Sequence, residues 1–194
     1  MSKYKVSEEE MAALGPLRVL LGEWTGDKGA DRAPSSSDRK AVANSSYKEH
    51  MRFEPTGRVD NHEQILYGLR YATTAWRLGE PNPFHEELGY WMWDAKESQV
   101  IRCFLVPRGV SVIAGGTVKA DANTIKLAAK LGSQTYGICS NLFLDREFQT
   151  VAYDVELKIL NQNSIQYEET TELKIIGQNT TFKHIDKNIL TRLV

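Results

Sequence analysis

The chain has 194 residues, with 24 lysines and arginines against 25 aspartates and glutamates for a net charge of -1. That length suits one sizeable core, since β sandwiches and barrels of this size usually stay undivided, and the even charge excludes a nucleic acid or an anionic membrane gripped by charge alone. The first ten residues hold no apolar signal core and no window approaches the ~18 apolar residues of a membrane span, so the expectation is one cytoplasmic domain over residues 1–194.

Ser7 before Glu8-Glu9-Glu10 predicts a helix N-cap with acids in the first turn, and Gly15-Pro16 ends that helix. A short turn over 16–21 follows, so residues 1–20 form an N-terminal helical cap. Asp27–Ser46, rich in Gly, Ala, Ser and Asp, reads as a long loop. The period then becomes two. Tyr47, Glu49, Met51 and Phe53 share a strand face up to a turn at Pro55-Thr56-Gly57, and Ile65, Tyr67, Leu69 and Tyr71 share the next.

Phe84–Asp94 is a strand with Trp91 and Trp93 on one face and Leu88, Tyr90 and Met92 on the other, so that both faces are apolar. Gln99–Val106, Val110–Val118 and Thr124–Leu131 follow at meander spacing. Gly132–Asp145 has no clear period. Phe148–Leu160 and Ser164–Ile176 alternate again, and Gly177-Gln178-Asn179 turns the chain into its last segment. Sequential strands with short connections predict an all-β, about ten-stranded antiparallel up-and-down barrel, closed on itself and able to hold one small ligand. A two-sheet sandwich is the second architecture.

Hydrolase, kinase and zinc-protease signatures are absent. Cys103 and Cys139 form no C-x-x-C pair and read as packing residues in strands. The four histidines, His50, His62, His85 and His184, lie too far apart in sequence to suggest a zinc cluster. His50 and His62 occupy polar positions and read as solvated, and His184 alone would be a surface histidine before a closing strand.

Four stretches change that reading. Gly22-Glu23-Trp24-Thr25-Gly26-Asp27-Lys28-Gly29 resembles the G-x-W-x-G-x-G signature of the nitrobindin family, with one residue inserted before the last glycine as a local bulge. Pro34-Ser35 falls where that family has Pro-Thr beside the haem. His85-Glu86-Glu87-Leu88-Gly89-Tyr90 is similar to its H-x-E-x-G-Y stretch on the distal side, and Tyr167 together with His184-Ile185-Asp186-Lys187-Asn188-Ile189-Leu190 is similar to its last two strands. The resemblance spans nearly the whole chain in order.

It implies a fatty-acid-binding-protein-like or lipocalin-like barrel that binds ferric haem b. His184 is then the iron ligand, and Ser35, His85 and Trp24 are cofactor-side residues. Lys28 and Arg32 are basic candidates for the porphyrin edge. The sixth iron position stays open to a diatomic ligand. The same resemblance implies binding of nitric oxide and, as an enzymatic activity, isomerisation of peroxynitrite to nitrate. The partner is a small molecule, without nucleic acid or membrane, and a homodimer is compatible with these residues. The competing readings are a haem-free carrier of a fatty acid or other apolar ligand, and a filled barrel that binds a partner on its outer surface.

Overall fold

A computed structural model describes residues 6–193. Ser7 starts the first helix, α1 (Glu8–Ala13). Its Oγ accepts from the Glu10 backbone N–H at 3.1 Å, and the Glu10 carboxylate accepts from the Ser7 N–H at 2.9 Å, a reciprocal capping box. No residue of α1 is buried, so the cap does much of the work of holding it. Ser7→Ala is expected to lower stability by about 1 kcal/mol in chemical denaturation. Gly15–Leu20 continues as a 3₁₀ helix that buries Pro16, Leu17 and Leu20.

Eleven strands follow: β1 (Gly22–Pro34), β2 (Val42–Asn61), β3 (Gln64–Arg77), β4 (His85–Asp94), β5 (Gln99–Val106), β6 (Val110–Thr117), β7 (Thr124–Lys130), β8 (Ile138–Ser140), β9 (Phe148–Asn161), β10 (Ser164–Ile175) and β11 (Phe182–Arg192). A second short helix, α2 (Leu142–Glu147), precedes β9. All pairings are antiparallel. The order β5-β4-β3-β2-β1-β11-β10-β9-β7-β6 closes through the β5–β6 pairing, giving ten barrel strands with β8 attached to β6. The expected barrel is present and the sandwich is not. The unassigned stretch 132–145 supplies β8 and most of α2.

Two boundaries differ from those read in the sequence. The stretch read as a loop from Asp27 is strand as far as Pro34, and only 35–41 connect β1 to β2. Its glycines and short side chains hid it, yet they serve close packing. A Cβ at Gly26 would sit 2.4 Å from the Ile189 carbonyl, and one at Gly29 would sit 2.5 Å from the Tyr47 ring. Pairing on both sides overrides the weak local propensity. The inserted residue of the glycine motif is a β-bulge, because the register of β1 shifts between Gly26 and Gly29 against β2. Likewise Pro55-Thr56-Gly57 does not end its strand. The register shifts between Pro55 and Arg58, and the chain turns at His62, which takes a positive φ of 56°.

One end of the barrel is sealed. Trp24, fully buried, donates its indole N–H to the Leu20 carbonyl at 2.7 Å, and Arg192 lies over its ring while donating to Val19 at 2.6 Å and to the Leu21 carbonyl. Gly15, at φ +54°, lies against the Trp93 indole, where a Cβ would come within 2.6 Å. The 3₁₀ segment therefore plugs this end, and Leu17, Leu20, Phe53, Leu69, Ile125, Ile165 and Leu190 fill the core around it. The N-terminus of β4, the C-terminus of β3 and the N-terminus of β11 lie at the other end, the mouth.

Candidate functional site

Along β11 the side chains alternate, with Asn188 and Leu190 buried and Lys187 and Ile189 exposed. This parity turns His184 and Asp186 toward the barrel axis. His184 is part of the strand, and its side chain keeps 33% exposure at the mouth. Its Nε2 lies 2.8 Å from Asp31 Oδ1 of β1. A carboxylate accepts only, so the imidazole donates. Asp31 is 5% exposed in its side chain, accepts from Ser45 Oγ at 3.2 Å and faces Arg77 Nη1 at 3.6 Å. Burial works to raise the Asp31 pKa, but His184, Ser45 and Arg77 outweigh it and hold the carboxyl below its ordinary range.

His85 stands at the same end on β4, across β1, β2 and β3 from His184. Its Nε2 lies 3.1 Å from Glu87 Oε1. Burial pushes the imidazole pKa down, and the bond to Glu87 with its charge overcomes this and raises it. Ser35 lies at the rim, with its N–H donating to the Ala41 carbonyl at 2.9 Å and its Oγ 3.1 Å from Ser37 Oγ. Trp24 is not with them, because it anchors the sealed end. Lys28 is exposed in the β1 bulge, and Arg32 lies over the Phe182 ring at 4.8 Å. His50 pairs with Glu23 on the outer face at 3.0 Å, and His62 is exposed in its turn.

Beneath the mouth lies a polar layer that pattern reading missed. Arg102 of β5 has a buried side chain with every donor nitrogen in use. Nη2 reaches Glu87 at 2.7 Å, Nε reaches the Tyr71 hydroxyl at 3.2 Å, and Nη1 reaches Tyr153 and Glu169. Burial works to raise Glu87, but the Arg102 charge and His85 hold its carboxyl well below the usual range. For Glu169 burial prevails and raises it.

A second cluster surrounds Glu49. Thr73, Tyr167 and Asn188 donate to it at 2.7, 2.8 and 3.1 Å, and Tyr47 lies 2.7 Å from the Tyr167 hydroxyl. Since Tyr167 gives its one proton to Glu49, Tyr47 donates to Tyr167. Burial again raises the Glu49 pKa. The signal for Arg102 was present in the sequence: it alternates with Val100 and Phe104 on an inward face, where an arginine is rarely unpaired.

Asp186 sits in register between Asp31 of β1 and Glu169 of β10. Burial, then the nearby Glu169, Glu87, Glu49 and Asp31, raise its pKa well above normal. It faces inward yet stays partly accessible, and among the described residues its carboxyl has no hydrogen-bond partner.

The donor chemistry fits a haem. Among the described residues no group of three or more His, Cys, Asp or Glu could hold a bare metal ion. A haem iron needs one protein imidazole, and His184 offers one, with its other ring nitrogen fixed by a carboxylate. Short side chains on the inward faces of β1, β2 and β3, at Ala33, Ala43, Ser45 and Ala75, leave width at the mouth. Arg77, which the sequence reading had not singled out, supplies an inward-facing cation at the rim.

Comparison with known proteins gives a concordant picture. The crystal structure of Rv2717c from M. tuberculosis is similar to this chain at 20% identity, covering 98% of this chain and 100% of that one with a TM-score of 0.63, a likeness of fold. No curated protein sequence matches the chain. The model of the THAP4-like, heme-binding beta-barrel domain family matches residues 13–192. With a match over nearly its full length, the chain belongs to that family, the nitrobindin family its motifs resemble, whose cofactor is haem.

Proposed function

We propose that the protein binds ferric haem b at the barrel mouth through His184, takes nitric oxide at the sixth position, and isomerises peroxynitrite to nitrate there. The observation that carries the reading is an inward imidazole at the open end, braced at 2.8 Å by a buried carboxylate. Bound ferric haem supplies the electrophilic centre and the open coordination position.

The chain's own groups do the rest. Asp31 fixes the tautomer and orientation of His184, and Ser45 and Arg77 hold Asp31 in place. Arg77 offers a cation to a porphyrin carboxylate. His85, held by Glu87 on the opposite wall, offers a proton-bearing nitrogen toward an anionic oxidant. The two cysteines, Cys103 and Cys139, are unpaired, which suits a cytoplasmic setting. No helix among the described residues is long and apolar enough to cross a membrane.

The haem-free fatty-acid carrier is less well supported. A barrel arginine can bind a fatty-acid carboxylate only if its charge is available, and Arg102 is already engaged by Glu87 and Glu169.

Hemin titration of the purified chain tests the reading, with the expected result a sharp Soret band at one haem per chain. Failure of the native chain to take up hemin would overturn it. The rate at which the loaded protein shifts peroxynitrite decay toward nitrate tests the isomerase part separately. Asp31→Asn is expected to weaken haem retention about 10- to 100-fold, the usual effect of losing a metal ligand's partner. The rate of haem loss to a scavenger protein measures it.

A further inference from the structure

The barrel mouth is rimmed by loops, and α2 ties three of them together. Asn141, the N-cap of α2, donates its backbone N–H to the Gly109 carbonyl at 2.9 Å and its side-chain amide to the Arg108 carbonyl at 2.8 Å. At the other end of α2 the Glu147 carbonyl accepts from the Ile176 N–H at 3.1 Å, and the Glu147 carboxylate meets Arg39 at 2.9 Å. Gln178 completes the set by donating to the Arg39 carbonyl at 2.6 Å. The helix is thereby joined to the β1–β2, β5–β6 and β10–β11 connections, all at the end where His85 and His184 stand.

This rim is apolar where loop ends are usually polar. Leu142 is 88% exposed, the most exposed large hydrophobic side chain among the described residues, and Phe143 and Ile176 are each 50% exposed. Leu144, on the same helix, is buried and anchors it, and Arg39 lies over the Phe148 ring that adjoins Phe143. The exposed side chains are therefore presented by a held backbone, at little further ordering cost.

Cations surround them. Arg39, Lys40, Arg108, Lys130, Arg146 and Lys174 border the cluster, against the acids Asp38, Asp145 and Glu147, and Glu147 is already shared by Arg39 and Arg146. Residues 107–109, 131–144 and 176–181 hold no acid at all. The net charge of -1 excluded a membrane gripped by charge alone, but it does not reveal this local excess of cations beside an apolar tip.

A projecting tip lacks the concavity a small ligand needs. A second copy of the same rim would set like charges against each other. An anionic lipid surface meets both halves of the patch, because its acyl boundary takes the apolar side chains and its headgroups take the cations.

We propose that the α2 rim docks the barrel, mouth first, on an anionic lipid surface, with Leu142 and Phe143 entering the headgroup–acyl boundary and the surrounding cations meeting the headgroups. On the haem reading above, the mouth then faces the layer in which an amphipathic porphyrin dissolves. The docking itself does not rest on that reading, and the haem-free chain tests it.

Cosedimentation of the haem-free full chain with vesicles of phosphatidylserine and phosphatidylcholine in equal parts is the measurement. The native chain is expected to bind them, to bind pure phosphatidylcholine vesicles more weakly, and to be released at about 1 M salt, where the Debye length falls to about 3 Å. Leu142→Gln and Phe143→Gln, made separately, are each expected to weaken binding at least about tenfold, the effect of removing one buried large side chain. Ile189→Gln, on β11 away from the rim, is expected to bind as the native chain does. Circular dichroism of each variant checks that it folds. A native chain that ignores the anionic vesicles overturns the proposal, and so does binding that the folded rim variants leave unchanged or that is equal on pure phosphatidylcholine. Retention on polyglutamate without vesicle binding would also overturn it, assigning the rim to an acidic protein instead. Failure of hemin uptake, by contrast, would touch only the haem reading.

Discussion

Replacing Arg102 with alanine is expected to destabilise the protein by about 3–5 kcal/mol at pH 7, the usual result of removing one partner from a buried ion pair. The reason is what remains. Glu87 and Glu169 would keep their carboxyls in the barrel interior without the guanidinium that now meets both, and Tyr71 and Tyr153 would lose the donors they accept from. The effect has a pH signature. In the native chain Glu87 is held below its ordinary 4.5, so its contribution is present above about pH 4.5 and is lost as pH falls through its folded pKa. Glu169 is raised and contributes with the opposite sign, opposing folding as pH rises above its unfolded value. Without Arg102 both carboxyls would hold their protons in the fold, and the variant's deficit should shrink as pH is lowered from 7 to 4. Urea unfolding at the two pH values measures it. An equal deficit at both would mean that lost packing, rather than orphaned charge, sets the effect.

His184→Ala is expected to abolish the sharp Soret band and reduce haem affinity by more than about a hundredfold, beyond the range that changes to a ligand's partner produce. The fold should survive. His184 is a third exposed, makes a single hydrogen bond, and lies far from the sealed end that holds the core. Urea unfolding without haem should therefore change little, while hemin titration changes greatly. The comparison with Asp31→Asn separates ligation from bracing, because the asparagine variant should retain a weakened band. A His184→Ala chain that binds hemin as the native chain does would remove the iron-ligand assignment.

Much of this molecule could be read from residue order. Alternation over 47–53 and 148–176 gave strands close to those observed, because an inward residue every second position is the signature of a one-sided core. Ser7 with Glu10 gave the helix start, since a capping box satisfies backbone donors with side chains three residues apart. The ordered motifs from Gly22 to Leu190 gave the family, and the strand register then places His85 and His184 at one end. Where local signals were weak the reading failed. β1 is built from glycine, alanine and aspartate, and only its two neighbours make it a strand, because close backbone approach there requires the residues that propensity counts against it.

The sequence by itself therefore determined the barrel class and the haem family, because periodicity and short motifs are local properties of the chain. The tertiary structure alone decided which groups surround that imidazole. Asp31 lies 153 positions from His184 in sequence, and Glu169 lies 67 from Arg102, yet each pair is in contact. It also decided that Trp24 lies at the sealed end of the barrel, away from His184, and that Leu88, Leu105 and Ile113 share the outer face. Contacts of that kind arise only when strands distant in the chain are brought into register by closing the barrel, since pairing fixes which side chains stand next to one another.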